Sequence, residues 1–397
     1  MSWKKKFVRN WGRLGMKCKL SDICVFRKGK VDVSKLTLKT YISTENMLPN
    51  KGGVTEASSL PTVQLTQEYK KGDILVSNIR PYFKKIWQAK YDGGCSNDVL
   101  VFQGNSNIDG DFLYYILAND DFFAYSMATS KGTKMPRGDK TSIMQYEVPI
   151  FDIDTQRKIA SVLRSLDEKI ELNSTINNNL EQQAQAYFDE LFVVNADPNW
   201  SECTLSDIGS VVAGGTPSKS KPEYYADQGI AWITPKDLSV NKSKFISHGE
   251  NDISELGFSK SSAAKMPAGT ILFSSRAPIG YIAIAQNEVT TNQGFKSVIP
   301  NENIGTAYLY FLLKNLLPTI EGMASGSTFK EISGSTMKSV PTVMPDADTI
   351  QLFSSFCEPV FKEQEILEAE NQRLSALRDS LLPKLMSGEL DVYDIDL

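Results

Sequence analysis

The amino-acid sequence predicts an α+β protein in which two pseudo-repeated α+β domains are separated by two long helices forming an antiparallel coiled coil. Three observations predict this fold. The chain contains an internal repeat of about 190 residues, far longer than the period of solenoid proteins. The first part of each copy holds short apolar runs bounded by turn residues. The last part of each copy holds an apolar stripe of helical period.

The internal repeat rests on five sequence segments that occur twice in the same order, at offsets of 185 to 197 residues. The pairs are Cys18–Ile23 with Cys203–Ile208, Tyr41–Ser43 with Trp232–Thr234, Gly72–Ser77 with Gly269–Ser274, Phe112–Leu117 with Tyr308–Leu313, and Val148–Pro149 with Val340–Pro341. Chance can produce one such pair, whereas five collinear pairs indicate a duplicated domain. The length of 397 residues agrees, since a domain usually comprises about 100–200 residues.

The first part of each copy is expected to form an α+β domain. Its apolar runs are rich in β-branched and aromatic residues and are bounded by Gly, Pro, Asn or Ser, which is typical of strands. The predicted strands are Ile74–Ser77, Val99–Phe102, Thr270–Phe273 and Tyr281–Ala285. Phe112–Leu117 and Ala307–Leu316 are predicted to be short helices.

An apolar stripe with an average step of about 3.5 residues runs through the last part of each copy and indicates a coiled-coil seam. The first seam is Ile159, Leu163, Leu166, Ile170, Asn173, Asn177, Leu180, Ala184, Tyr187 and Leu191. The second seam is Phe353, Phe356, Val360, Glu363, Leu367, Glu370, Leu374, Leu377 and Leu381. Pro359 is expected to start or kink the second helix, and Pro383 to end it. The alternative is that each stripe belongs to an amphipathic helix lying on its own domain.

These patterns divide the chain into four segments. They are a first domain over 1–152 with a basic leader at 1–16, a helical region over 153–193, a second domain over 194–345, and a C-terminal helical region over 346–397. A helix of about 35 residues is about 50 Å long. We therefore expect the two helices to set the distance between the domains.

Composition argues against several classes of protein. No apolar run approaches the ~18–20 residues of a membrane span, and the basic N-terminus lacks the apolar stretch of a secretory signal. Five scattered cysteines predict neither a disulfide framework nor a zinc site, which fits a cytoplasmic location. The single histidine, His248, makes a Ser-His-Asp triad or a His-rich metal centre improbable and is expected to lie in a surface loop.

Two short segments come near to catalytic motifs without completing them. Asp197-Pro198-Asn199-Trp200 lacks the second proline of an adenine methyltransferase loop and is interpreted as a linker. Ala213–Pro217 is glycine-rich, but no GxxxxGK[ST] pattern follows it. We therefore expect neither catalytic residues nor a bound metal in this chain.

Charge is distributed unevenly along the chain. Residues 1–152 hold 23 basic and 15 acidic side chains, a net charge of +8, whereas 153–345 and 346–397 have net charges of −4 and −8. A basic block beside an acidic tail is expected when one part of a protein meets a polyanion and another part does not.

Loops that follow the predicted strands and helices hold the candidate nucleic-acid contacts. Arg can fork onto guanine or phosphate, Asn can pair with adenine, and Ser typically contacts phosphate. The candidates are Ser77, Asn78, Arg80, Tyr82, Lys84, Lys85, Lys131, Lys134, Arg137, Thr216, Ser218, Lys219, Lys221, Ser274, Ser275, Arg276, Ser325, Ser327 and Lys330. The alternative is solvated loops shaped by Gly and Pro. The aromatic residues Phe83, Trp87, Trp232 and Phe273 are expected in the core.

Nearly the whole chain from about Lys17 resembles the specificity subunit of type I restriction-modification enzymes. The resemblance rests on Gly214–Ser218, Pro222–Tyr225, Ile230–Leu238, Ile271–Gly280, Thr291–Phe295, Gln156–Ala160 with Leu163 and Leu166-Asp167, and Leu381–Leu390. The first half departs from the pattern, because Phe26–Lys30 stands where Gly-Gly-Thr-Pro-Ser stands in the second half. The family pattern also leaves the leader at 1–16 unexplained.

The resemblance implies a non-catalytic DNA sequence-recognition subunit of a host-defence complex. Its two domains would be target recognition domains that read a bipartite, asymmetric target in double-stranded DNA, with one domain for each half-site. The helical regions would bind two modification subunits, which methylate adenine N6 with S-adenosylmethionine. Restriction subunits that use ATP and Mg²⁺ would join that core, and no cofactor is expected in this chain. The alternative is a coiled-coil assembly scaffold presenting two protein-binding domains, against which the basic first domain argues.

Overall fold

The computed structural model describes residues 17–326 and 330–395, so the predicted leader at 1–16 lies outside the described residues. The chain divides into two compact units. Unit 1 comprises the chain up to Ile170 together with the segment from Arg373 onward, and unit 2 comprises Glu171–Gln372.

Strands and helices alternate irregularly in both units. The strands are β1 Lys17–Lys19, β2 Cys24–Phe26, β3 Lys30–Asp32, β4 Tyr41–Ile42, β5 Leu65–Tyr69, β6 Ile74–Ser77, β7 Ile86–Gln88, β8 Gly93–Cys95, β9 Val99–Gly104, β10 Glu147–Pro149, β11 Ser201–Thr204, β12 Gly209–Ala213, β13 Tyr225–Ala226, β14 Ile230–Ile233, β15 Phe245–Ile246, β16 Asn251–Ile253, β17 Ile271–Ser275, β18 Ile279–Ala285, β19 Thr290–Thr291, β20 Lys296–Pro300 and β21 Pro341–Met344. The helices are α1 Leu20–Ile23, α2 Gly110–Ala118, α3 Asp120–Ala128, α4 Lys140–Ile143, α5 Ile153–Asp189, α6 Leu205–Ile208, α7 Pro235–Val240, α8 Glu255–Ser259, α9 Thr306–Asn315, α10 Leu317–Met323, α11 Gly334–Lys338 and α12 Ala347–Ser387. The four predicted strands correspond to β6, β9, β17 and β18, and the predicted short helices to α2 and α9.

The two units repeat one sheet topology. In unit 1, β1 pairs antiparallel with β10, and the larger sheets have the strand orders β2-β9-β6-β7 and β3-β5-β8-β4. In unit 2, β11 pairs antiparallel with β21, and the orders are β12-β20-β17-β18-β15 and β13-β16-β14-β19. Because β2, β9, β6 and β7 correspond in order to β12, β20, β17 and β18, the predicted pseudo-repeat of α+β domains is confirmed.

The repeated Leu-Ser-Asp-Ile segment is a capped turn of helix. Lys19 N donates to Asp22 Oδ2 at 2.8 Å in α1, and Thr204 N donates to Asp207 Oδ2 at 2.8 Å in α6. Each aspartate accepts a bond from the backbone N–H at the start of its helix. Leu20 and Leu205, the first residues of the two helices, are fully buried. The motif therefore turns the chain into the core of each unit.

The long helices α5 and α12 each contribute to both units. In unit 1, Leu163 of α5 and Leu385 of α12 belong to one buried cluster. In unit 2, Phe188 of α5 and Phe353 of α12 share another. The boundaries predicted at 152, 193 and 345 follow the sequence repeat. In the structure, each long helix is divided between the two units, because its apolar face contributes to the core of both.

Polar contacts show how the helices pair. In unit 2, Asn173 Nδ2 donates to Glu370 Oε2 at 2.7 Å, and Asn177 Nδ2 donates to Glu368 Oε1 at 3.3 Å. The residue number rises from 173 to 177 along α5 while that of the partner on α12 falls from 370 to 368, so the two helices run antiparallel there. Asn173 is fully buried within the seam. The predicted antiparallel coiled coil is confirmed.

The predicted second seam has the wrong order of steps. Leu377 is 47% exposed and Phe356 and Glu363 are also exposed, whereas the next residue in each case, Arg378, Cys357 and Gln364, points inward. Starting from Phe353, the inward-facing positions of the seam are separated by four residues and then by three. The predicted positions are separated by three residues and then by four. The prediction placed Leu377 in the seam because it is apolar, whereas Arg378 occupies that position in the structure. In unit 1, Arg378 Nη1 is satisfied by Asp167 Oδ1 at 2.7 Å.

The expectations that Pro359 starts the second helix and that Pro383 ends it are also wrong. Helix α12 begins at Ala347, well before Pro359, and continues through Pro383 to Ser387. Pro359 lies on the exposed side of the helix, where the carbonyl left without its usual N–H partner can meet water. Beyond Pro383, burial of Leu385 and Met386 in the core of unit 1 favours continuation of the helix.

None of the helices in the described ranges is both long and apolar enough to cross a membrane. All five cysteines are free thiols. His248 is exposed, as predicted, and its Nδ1 lies 3.2 Å from Asp252 Oδ1.

Candidate nucleic-acid interface

Three loops meet at one end of the β2-β9-β6-β7 sheet in unit 1. They are the strand-end turn (77–85) after β6, the inner loop (96–98) between β8 and β9, and the outer loop (130–138) after α3. Asn78 N donates to Asp98 O at 2.8 Å, and Gly138 N donates to Asn78 O at 3.1 Å. These backbone bonds hold the three loops together as the loop cluster of unit 1.

Unit 2 builds the same loop cluster from a different sequence. Its strand-end turn (274–279), inner loop (292–294) and the described parts of its outer loop (324–326 and 330–332) follow β17, β19 and α10. The predicted contact Ser327 lies outside the described residues. Ser275 N donates to Gly294 O at 2.7 Å, and Ile332 N donates to Ser275 O at 3.1 Å. In each unit the structure thus brings together the two loops that the sequence analysis identified.

Backbone pairing also establishes which residues correspond. Arg137 pairs with Ile79 and Lys131, whereas Glu331 pairs with Arg276 and Ser325. Arg276 is therefore the counterpart of Ile79, and the next residue, Ala277, is the counterpart of Arg80. Arg80 and Arg276, which were both predicted to contact nucleic acid, therefore occupy different positions of the strand-end turn.

Left-handed backbone is concentrated at the strand-end turns. Among the described residues, those other than glycine with positive φ are Asn50, Lys51, Arg80, Lys84 and Ala277, at 50° to 62°. Asn50 N donates to Phe83 O at 2.8 Å and Lys51 N to Lys84 O at 2.9 Å, so four of the five lie together in unit 1. Such backbone is disfavoured for residues with a Cβ and persists where the surroundings hold it, which is common at functional sites.

The cations of the unit 1 cluster are mostly paired with carboxylates. Lys84 Nζ lies 2.8 Å from Asp120 Oδ2, Lys131 Nζ 2.5 Å from Asp139 Oδ2, and Arg137 Nη2 3.3 Å from Asp98 Oδ1. Lys131 and the backbone N–H of Ser142 hold the pKa of Asp139 down at about 2. Lys85 differs, because burial lowers its pKa and its Nζ donates to Thr44 O at 2.6 Å. Lys134 is exposed on the outer loop.

Two aromatic rings are exposed at the strand-end turn of unit 1. Tyr82 is 49% exposed and Phe83 37% exposed, and their ring centroids are 4.7 Å apart. The expectation that Phe83 belongs to the core is wrong, because the short helical turn Pro81–Phe83 carries it away from the sheet. Trp87, Trp232 and Phe273 are buried, as expected.

Three serines predicted to contact DNA are buried and cannot present their hydroxyls to a ligand in this structure. Ser77 Oγ donates to Ile79 O at 3.1 Å, and Ser275 Oγ donates to Gly294 O at 3.0 Å. Ser274 Oγ donates to Pro278 O at 2.9 Å and accepts from Tyr281 N at 2.7 Å. These side chains satisfy backbone groups where a strand ends, so their role is to shape the turns.

The Gly-Gly-Thr-Pro-Ser segment lies beside the inner loop of unit 2. A Cβ at Gly214 would overlap the carbonyl oxygen of Asn292, and a Cβ at Gly215 would overlap the backbone of Ala263. The Thr216 hydroxyl donates to Gln293 of the inner loop. The glycines therefore serve close packing. The predicted contact Ser218 at the end of this segment is exposed, as are Lys219 and Lys221, which follow it.

Sequence reasoning missed three charged residues of the clusters. They are Asp98 on the inner loop of unit 1 and Glu331 and Lys296 in unit 2, where Glu331 Oε2 lies 3.4 Å from Arg276 Nη1. The Lys296 side chain is 10% exposed, and burial lowers its pKa. The candidates from the sequence were basic, hydroxyl and amide side chains of loops, so they included neither the two carboxylates nor Lys296, which begins strand β20. Ser325 and Lys330 are exposed on the outer loop.

Comparison with known proteins decides the family. A family model described as the type I restriction modification DNA specificity domain matches residues 15–182 and 198–376. The chain belongs to this specificity family. The specificity subunit of the type I restriction enzyme HindI from Haemophilus influenzae is 27% identical, with 94% of this chain and 98% of the relative covered. The MjaIX specificity subunit from Methanocaldococcus jannaschii is 40% identical over 46% of this chain and 44% of the relative.

A solved structure supports the same specificity fold. The S subunit of a type I restriction-modification system from M. genitalium superposes with a TM-score of 0.60 at 18% identity, with 94% of this chain and 96% of that chain covered. The predicted family and fold class are confirmed. Specificity subunits are non-catalytic components of type I restriction enzymes, so the prediction of a non-catalytic specificity subunit is confirmed as well.

Proposed function

We propose that this chain is the DNA-recognition subunit of a type I restriction-modification complex and that unit 1 and unit 2 each read one half of a bipartite, asymmetric target. The observation that carries the proposal is the loop cluster, which occurs twice on one backbone plan with different side chains. Loops of equal shape and unequal chemistry suit equivalent grooves with different base sequences. A cytoplasmic location accords with this function.

The same proposal assigns the long helices to subunit assembly. Leu172 and Ile176 on α5 and Ile366 on α12 are apolar and exposed. Exposed apolar side chains on helices favour burial against a protein partner. We assign this partner as the modification subunits, two per chain, with S-adenosylmethionine bound there. Restriction subunits that use ATP and Mg²⁺ would join that assembly.

Exchange of one domain tests whether each unit reads its own half-site. Residues of roughly 200–345 are replaced by the corresponding residues of a relative, and the exchanged chain is produced with its modification subunits. Sequencing of methylated genomic DNA should show one half of the modified motif changed and the other unchanged. A change in both halves, or in neither, would contradict the assignment of one unit to each half-site.

Salt dependence separates DNA recognition from a purely scaffolding role. Phosphate contacts release counterions, so the affinity of the assembled complex for target duplex should fall steeply as the salt concentration rises. A complex that assembles normally but binds duplex weakly and without this dependence would favour the scaffold.

A further inference from the structure

One backbone position of the loop cluster has opposite charge in the two units. Arg137 in unit 1 and Glu331 in unit 2 are counterparts, because each closes its outer loop by pairing with Lys131 or Ser325. Arg137 N and O bond Lys131 at 3.0 and 2.9 Å, and Glu331 N and O bond Ser325 at 2.9 and 3.1 Å. The backbone hydrogen bonds at this position are the same in both units, whereas the charge of the side chain is reversed.

The neighbouring loops compensate for this reversal. Arg137 faces Asp98 of the inner loop, and the strand-end turn beside it supplies the neutral Ile79. Glu331 faces Arg276 of the strand-end turn, and the inner loop supplies Gly294 at the position of Asp98. Each unit thus pairs the central charge with an opposite charge from a different neighbouring loop.

The side chain at this central position is accessible in both units. The side chains of Arg137 and Glu331 are 55% and 40% exposed, whereas Lys296, whose Nζ lies 4.0 Å from Glu331 Oε1, is nearly buried. A carboxylate in a cluster that faces DNA is repelled by phosphates. Among DNA groups it can gain only from hydrogen-bond donors, and the amino groups on base edges are such donors.

We propose that the position occupied by Arg137 and Glu331 reads a base in each half-site, with Arg137 donating to guanine O6 and N7 and Glu331 accepting from cytosine N4. This inference rests on the proposed function. Arg276 and Lys296 position the Glu331 carboxylate before DNA binds, and Asp98 positions the Arg137 guanidinium. Arginine suits guanine because its fork matches two acceptors, and glutamate suits cytosine because the amino group is a donor. A base without the matching group leaves a desolvated charged group without a hydrogen-bond partner on the DNA, which strengthens discrimination.

The test uses the full chain with its modification subunits and a randomised duplex library, sequenced after selection by binding. Glu331→Gln and Arg137→Gln are compared with the parent. Glu331→Gln should lose at least about tenfold of its preference for cytosine at one position of one half-site. Arg137→Gln should lose a similar preference for guanine at one position of the other half-site. All remaining positions should keep their preferences.

Glu302→Gln and Arg157→Gln are the matched controls. Glu302 is exposed and follows β20 at the end opposite Lys296, and Arg157 is exposed on α5, so both controls change the charge away from the loop clusters. Gel filtration verifies that each variant complex assembles, and the two units provide independent arms if one variant folds poorly. A uniform change in affinity with every base preference retained in both variants would overturn the inference. If the parent complex selects no bipartite sequence, the proposed function itself fails.

Discussion

Lys244 Nζ lies 2.8 Å from Glu181 Oε2 in unit 2, although the Lys244 side chain is only 6% exposed. The same ammonium donates to Gln364 Oε1 at 2.8 Å and stands 3.5 Å from the centroid of the Phe361 ring. Lys314 places a second ammonium 2.5 Å from Glu181 Oε1. Because Lys244 directly precedes β15 while Glu181 and Gln364 lie on α5 and α12, this network fastens the α+β part of unit 2 to both helices.

The Lys244 network should make stability depend on pH. Burial outweighs the attraction of Glu181 and lowers the pKa of Lys244 to about 8. Between that value and the ordinary pKa of 10.5, the unfolded chain binds a proton that the folded chain does not, so stability rises with pH. Relative to Lys244→Met, the parent should gain roughly 1–2 kcal/mol in free energy of unfolding from pH 7.5 to 9.5.

Urea unfolding of both proteins at both pH values measures this difference. Lys362→Met, on the exposed face of α12, is the control and should differ from the parent by less than about 1 kcal/mol at either pH. A Lys244→Met difference that stays constant between the two pH values would contradict the assignment.

Gly214 should tolerate no side chain. Its Cβ would overlap the Asn292 carbonyl oxygen, so Gly214→Ala should lower the free energy of unfolding by about 1–3 kcal/mol or more. Gly322 on α10 is the control, because a Cβ there meets nothing within 4 Å and alanine favours the helix by up to about 1 kcal/mol. Thermal unfolding should show opposite shifts for the two variants. Equal midpoints would mean that the backbone of the inner loop moves to accommodate the methyl group.

Arg80→Ala and Arg276→Ala should weaken DNA binding while leaving assembly with the modification subunits intact. Loss of a base contact costs about 1–3 kcal/mol, and loss of a phosphate contact reduces the salt slope by about one. Arg276→Ala should have the larger effect, because it also leaves Glu331 without its nearest cation. Fluorescence anisotropy with target duplex at several salt concentrations distinguishes these cases, with Arg157→Ala on α5 as control. Parent-like binding by both variants would make these turns purely structural.

An insertion in the long helices should change the spacing between half-sites. Four residues add about 6 Å and roughly one helical turn, so the apolar seam stays nearly in place. An insertion near Asn178 in α5 alone would displace Glu181 from Lys244, whereas paired insertions after Ile170 and Gln372 leave the contacts within each unit unchanged. The paired variant should recognise a spacer longer by one or two base pairs, since each base pair rises about 3.4 Å.

Sequencing of methylated genomic DNA from a host carrying the paired insertion would measure the spacer directly. A variant with full modification activity and the parent spacer would show that the helices do not set the distance between half-sites.

Sequence patterns predicted the features that depend on local chemistry. The repeated Leu-Ser-Asp-Ile segment, strands such as β6 and the two long helices all have a period or a cap visible in the chain. The phase of the second seam could not be predicted, because the inward position of Arg378 depends on its contact with Asp167, 211 residues away. Glu331 was missed for a similar reason, because its partners Arg276 and Lys296 lie in the strand-end turn and in β20, far from it in sequence.

The division of α5 and α12 between the units has a consequence for biosynthesis. Leu163 packs in a cluster that also contains Leu382, Leu385 and Met386, which leave the ribosome roughly 220 residues later. Unit 1 therefore cannot complete its core before the whole of unit 2 has been synthesised, and its apolar helix face remains without its partner throughout that time. Long-range closure of this kind slows folding and exposes intermediates to aggregation. Prematurely terminated chains should thus be recognisable to chaperones and proteases by an uncovered helix, even when every strand of unit 1 has been made.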